Sequence, residues 1–210
     1  MKRLVLKTLA AAICVTAFGL AQAQTKTIKF VNQNAKGHPI VLGMEKFAEI
    51  VDAKSGGKLK VQVFPGGALG SDQANISAMQ GGAIEMASMN SGIFASLVKD
   101  FAIYDFPFLF ANPAEADAVV DGSFGKSLHA KLEEKGLVGL GYYELGFRHI
   151  TNSKRPITKV EDIAGLKLRV IPNPINIDWV SALGANPTPC LLYTSPSPRD
   201  GATSRMPSSA

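Results

Sequence analysis

The spacing of apolar positions changes period several times between residues 24 and 189. Lys58 to Phe64 alternates strictly, with Leu59, Val61 and Val63 on one face and Lys58, Lys60 and Gln62 on the other. That period of two predicts a strand with one buried side. Before it, Thr27 to Gln33 predicts another strand, with Ile28 and Phe30 on one face. His38-Pro39 then opens a helix. Proline suits its first position, where a missing N–H costs nothing, and Ile40, Met44, Phe47 and Val51 recur at helical spacing up to Gly56-Gly57. After the turn Pro65-Gly66-Gly67, Ser71 caps a predicted helix running through Gln80, and Ile84 to Met89 reads as a strand.

Further along, Asn112-Pro113-Ala114-Glu115 carries a cap residue, a first-position proline and a glutamate three residues on, the signature of a reciprocal capping box. Phe124, Leu128 and Leu132 line a further helix that Gly136 closes. Leu137–Tyr143, Phe147–Thr151 and Leu166–Ile171 are predicted strands, with Thr158 and Glu161 forming a capping box on a short helix before the last of them. Asn173-Pro174 starts a helix that ends near Gly184. Repeated strand–helix alternation predicts an α/β fold, a sheet covered by helices.

Both ends depart from this pattern. Lys2, Arg3 and Lys7 precede an apolar run from Leu9 to Leu20, and Ala21-Gln22-Ala23 follows with small-x-small spacing. Residues 1–23 are therefore expected to be a signal peptide cleaved after Ala23, with export to the periplasm. From Cys190 to Ala210 periodicity stops and Ser, Thr, Pro and Gly dominate. This stretch is expected to be a disordered, non-native tail similar to translated sequencing-adapter text, with a genuine flexible tail as the other reading.

Composition adds mainly exclusions. The 210 residues are 46% apolar and 19% charged, enough for a packed core. The formal charge of +5 falls to +2 once Lys2, Arg3 and Lys7 leave with the signal peptide, so no nucleic-acid partner is expected. His38, His129 and His149 have no metal-ligand spacing, and Cys14 and Cys190 make no disulfide framework, so neither a metal nor a cofactor is expected. No nucleophile elbow, phosphate loop or dinucleotide fingerprint occurs, and an enzyme is not expected.

One strand carries a chemical oddity. In Leu166–Ile171, Leu166, Leu168 and Val170 share a face while Lys167, Arg169 and Ile171 share the other. An arginine flanked by apolar residues there is costly unless it meets a carboxylate. That carboxylate can belong to the protein or to a ligand, and spacing alone leaves both open.

Taken together, Gly165-Leu166-Lys167-Leu168-Arg169-Val170 and Leu183-Gly184-Ala185-Asn186-Pro187-Thr188-Pro189 resemble a known family. So do Phe64-Pro65-Gly66-Gly67-Ala68-Leu69-Gly70 and Phe106-Pro107-Phe108-Leu109-Phe110. The chain is similar, over residues 26–189, to the solute-binding proteins of the tripartite ATP-independent periplasmic (TRAP) transporters, of the C4-dicarboxylate-binding type. The resemblance implies a two-lobed α/β periplasmic binding protein, with a first lobe at 24–146 and the start of a second at 147–189. It implies capture of a small organic acid anion, delivery to the TRAP membrane permease subunits, and a monomer when full length. Arg169 matches the family arginine that makes a two-pronged salt bridge to the ligand carboxylate, and Arg148 matches a second family arginine. Gln33, Asn90 and Asn173 fall at pocket-lining positions. Family chains continue well past the Pro-Thr-Pro motif, so the second lobe is expected to be incomplete. A periplasmic enzyme acting on a carboxylate and a secreted scaffold module are the competing readings.

Overall fold

A computed structural model describes residues 25–190. The signal-peptide expectation for 1–23 and the tail expectation beyond Cys190 lie outside the described residues.

Strand β1 (Lys26–Val31) is the centre of a three-stranded parallel sheet, flanked by β2 (Leu59–Phe64) and by β3 (Met86–Ala87). The crossover from β1 to β2 is helix α1 (Pro39–Ser55). Its start is fixed by the imidazole of His38, whose Nδ1 accepts from the Ile40 N–H at 3.2 Å, and by Pro39 in the first turn. Its end is fixed by Gly56, which takes the left-handed φ of 60° that a side chain would oppose. Ile40 and Met44 pack onto Phe30 and Val61, while Phe47 meets Phe30 edge to face at 5.8 Å. Helix α2 (Asp72–Gln80) begins where the Ser71 hydroxyl accepts from the Ala74 N–H.

Two 3₁₀ turns, Ser91–Ser96 and Lys99–Asp105, lead to α3 (Pro113–Val120) and α4 (Ser123–Glu133). At the head of α3 Asn112 accepts from the Glu115 N–H, and Glu115 reaches back to the N–H of Ala111, one residue before the position a capping box uses. Leu128 and Leu132 of α4 close a second core with Ile76, Ile93, Val98 and Phe101. The smaller sheet pairs β4 (Lys167–Val170) with β5 (Asn186–Pro189) in parallel, joined by α5 (Pro174–Ala182). Leu166, Leu168 and Val170 are buried against Val180 and Ala185, as the alternation predicts. Ile171 points the other way and is buried in the core of Phe101 and Leu128, which stitches this unit to the first.

Several expected elements differ. The strand at 84–89 shrinks to two residues. Segments 137–143 and 147–151 form no strand, because neither lies beside a strand that could complete its backbone ladder. Residues 137–151 are held by side chains instead. Tyr142 stacks on His129 at 4.5 Å and meets Tyr104 edge to face, while Val138 and Leu140 stay exposed. The short helix before β4 is a 3₁₀ turn (Val160–Ile163), and its cap is Asp162, not Glu161. The Asp162 carboxylate accepts from the N–H groups of Thr158 and Lys159 and from the Thr158 hydroxyl.

β5 forms where the sequence pattern predicts no strand, and Pro187 and Pro189 lack the N–H a ladder uses. The register explains how it forms. Asn186 and Cys190 donate to the carbonyls of Leu166 and Val170, so both prolines fall at positions whose nitrogens face away from β4.

Candidate functional site

The five residues singled out from the sequence fall into two groups at the seam between the larger sheet and the β4–α5–β5 unit.

The first group is built on Arg169. It lies on the outward face of β4, and its Nε and Nη2 both donate to the carbonyl oxygen of Cys190, at 3.0 and 2.9 Å. Two parallel N–H bonds of a guanidinium thus converge on one oxygen, where a carboxylate would offer two and a negative charge. The Arg169 charge also acts on Asp72, the first residue of α2. Burial pushes the Asp72 carboxyl up to about 6, with the Gln33 amide and the Arg169 charge pulling against that rise. Gln33, just past β1, donates its Nε2 to the Gly70 carbonyl at 2.8 Å, while its Oε1 is buried with no hydrogen-bond partner. Gly67 is required beside it. Its φ is 69°, and a Cβ there would stand 2.7 Å from that Oε1.

The second group is a continuous network. Arg148 donates from Nη1 to Asp105 Oδ1 at 2.8 Å, and Asn173 donates from Nδ2 to Asp105 Oδ2 at 3.1 Å. The same Nδ2 donates to the Gly92 carbonyl, and Asn173 Oδ1 accepts from the Ile175 N–H, which starts α5. Asn90 joins through the backbone, since its Oδ1 accepts from the Gly92 N–H and so opens the first 3₁₀ turn. The Asp105 side chain is 1% exposed and that of Arg148 is 54% exposed. Arg148, Asn90 and Asn173 are therefore brought together around Gly92 and Asp105, while Gln33 and Arg169 both act on the electrostatics of Asp72.

The sequence reading missed both aspartates. Asp105 left a legible signal, a lone carboxylate inside the apolar run Phe101-Ala102-Ile103-Tyr104-Asp105-Phe106, which must be paired if buried. Asp72 left none, because an acidic residue in a first helical turn is ordinary. Among the described residues no cluster of three or more His, Cys, Asp or Glu side chains could hold a metal ion, and no helix is long and apolar enough to cross a membrane.

Comparison with known proteins agrees with this architecture. A family described as bacterial extracellular solute-binding protein, family 7, matches residues 30–192. The 2,3-diketo-L-gulonate-binding periplasmic protein of Escherichia coli (strain K12) is 36% identical over 175 residues, covering 83% of this chain and 53% of its own length. Among solved structures, a TRAP periplasmic solute-binding protein from Ochrobactrum anthropi is 53% identical, with a TM-score of 0.72 over 80% of this chain and 53% of its own. The sugar acid binding protein of Advenella mimigardefordensis, in complex with galactonate, is 42% identical, with a TM-score of 0.79 over 81% and 55%. The chain thus spans about half the length of the proteins it matches.

Proposed function

The chain belongs to the family of bacterial extracellular solute-binding proteins, family 7, and from that premise we propose that it captures a small organic acid anion in the periplasm and presents it to the permease of a TRAP transporter. The family is one of solute-binding proteins and not of enzymes. The observation that carries the reading is the two-pronged donor set of Arg169, which ends on a single neutral carbonyl. Arg169 anchors the ligand carboxylate. Arg148 adds a second, partly solvated charge, and Gln33, Asn90 and Asn173 line the space beside them. The galactonate bound by the Advenella relative is an acid of the expected class. The residues before 147 form one lobe and those from 147 to 189 begin another, and the complete protein works as a monomer.

Binding without turnover is the mechanism. Guanidinium and carboxylate match as two charge-assisted hydrogen bonds, and these strengthen when the lobes close and exclude water. Closure is biased by contacts the ligand makes only in the closed form.

Calorimetry tests this on the chain and on a version extended with the C-terminal half of the Ochrobactrum relative, against galactonate, glucuronate and succinate. Saturable binding of one acid without product is the expected result. Arg169→Lys should weaken it about 30-fold or more, since lysine offers a point charge where a planar fork is needed. Unchanged affinity in Arg169→Lys would remove Arg169 as the anchor, and turnover of the acid would favour the enzyme.

A further inference from the structure

We propose that Asp105 is a positioning residue for the acid-binding site, holding the Arg148 guanidinium and the Asn173 amide in one fixed arrangement. The proposal rests on the reading above, in which Arg148 faces the ligand and Asn173, itself buried, lies beside it.

Asp105 ends the second 3₁₀ turn, inside an apolar run, and its carboxylate is almost wholly withdrawn from water. A buried charge in that setting is retained only where both oxygens are engaged. Here each serves a different part of the chain, Oδ1 taking Arg148 and Oδ2 taking Asn173. The space for this is made by Gly92, because any side chain there would collide with the Asp105 carboxylate.

The consequence for Arg148 is directional. One guanidinium nitrogen is bound, and the side chain remains about half exposed, so the rest of the fork is presented outward from a fixed pivot. For Asn173 the consequence is polarity. A carboxylate can only accept, so the amide must turn its NH₂ to Asp105, while its oxygen faces the Ile175 N–H. With Gly92 taking the NH₂ as well and the residue only 1% exposed, Asn173 acts from inside, fixing the start of α5 and the Asp105 carboxylate that in turn fixes Arg148. Asparagine at 105 could accept with one oxygen only, and one of the two partners would lose its hold.

The test uses the whole chain, with Asp105→Asn, Arg148→Met and the double variant, and galactonate as the probe. Asp105→Asn is expected to weaken galactonate binding about tenfold or more, and to do much less in the Arg148→Met background, where there is no guanidinium left to position. A competing-anion role predicts the opposite sign, because removing a negative charge beside Arg148 would then tighten binding. Equal or tighter binding in Asp105→Asn, or the same loss in both backgrounds, overturns the proposal. A second measurement needs no ligand. The ¹H–¹⁵N signals of the Arg148 guanidinium should be resolved in the chain and averaged in Asp105→Asn while the backbone spectrum is retained. An unchanged guanidinium spectrum also overturns it. If neither the unsubstituted chain nor its extended version takes up galactonate or succinate, the acid-binding reading fails, and the guanidinium spectrum still decides whether Asp105 fixes Arg148.

Discussion

The stretches Leu59–Phe64 and Leu137–Tyr143 carry similar alternating apolar patterns, and only the first is a strand. Leu59–Phe64 lies residue for residue beside β1, so its backbone donors and acceptors are satisfied and Val61 is buried. Leu137–Tyr143 has no strand alongside. Leu137 is buried in the core and Tyr142 is clamped by aromatic neighbours, while Val138 and Leu140 are left at the surface. Alternation states which residues could share a face. Pairing decides whether there is a face to share.

The sharpest way to break this contrast is to place a charge at equivalent points. Val61→Asp would bury an unpaired carboxylate and should cost about 4 kcal/mol or more. Leu140→Asp, at a residue 75% exposed, should stay within about 0.5 kcal/mol. Urea denaturation of both variants reads the difference, and equal losses would mean that 137–143 is paired in solution.

A second effect concerns association. Val138, Leu140, Leu145 and Phe147 are exposed together along one unpaired segment, an arrangement that invites edge pairing between molecules. The chain is expected to self-associate, and changing Val138 and Leu140 to Thr should shift it toward monomer in sedimentation velocity. A monodisperse unsubstituted chain would remove the argument.

Titration gives a more moderate effect from the paired side. Asp72 is drawn out of water at the head of α2, and its carboxyl rises from 3.8 to about 6. A raised acid pKa means that the folded state holds the proton more tightly than the unfolded one. Stability from this group is therefore present below about 4 and is lost as pH climbs through about 6. Asp72→Asn should flatten that part of the stability profile and add about 2 kcal/mol near neutral pH. A profile with the same slope in the variant would assign the pH dependence to other groups. The smallest effect is expected at β5. Pro189→Ala restores an N–H on the outer edge without touching the bonds to β4, and should change stability by less than about 1 kcal/mol. A larger loss would show that the proline ring itself holds the strand.

What the sequence made legible follows the same division. Local signals were sufficient for most helix starts, though not for the 3₁₀ turn Val160–Ile163, whose cap is Asp162 and not Glu161. The starts of α1, α2 and α5 were each readable from His38-Pro39, Ser71 and Asn173-Pro174. The inward face of β4 was readable because Leu166, Leu168 and Val170 alternate with two charged residues. Elements that depend on a distant neighbour were not readable. β5 hides behind its prolines, and the strands foreseen at 137–151 lack partners. In the candidate site the nitrogen-bearing side chains are named from the sequence, while Asp105, which holds two of them, and Asp72, which feels the Arg169 charge, are not. Asp105 meets its partners, and Asp72 feels Arg169, across long stretches of chain, a relation that no spacing rule contains.

The prolines of β5 also give the small sheet a direction of growth. At positions 187 and 189 the outer edge presents carbonyl oxygens but no N–H, so an incoming strand would find half of its hydrogen bonds refused. That flank acts as a seal. The opposite flank of β4 holds no proline, so it keeps both the donors and the acceptors that the β5 flank lacks, at Lys167 and Arg169.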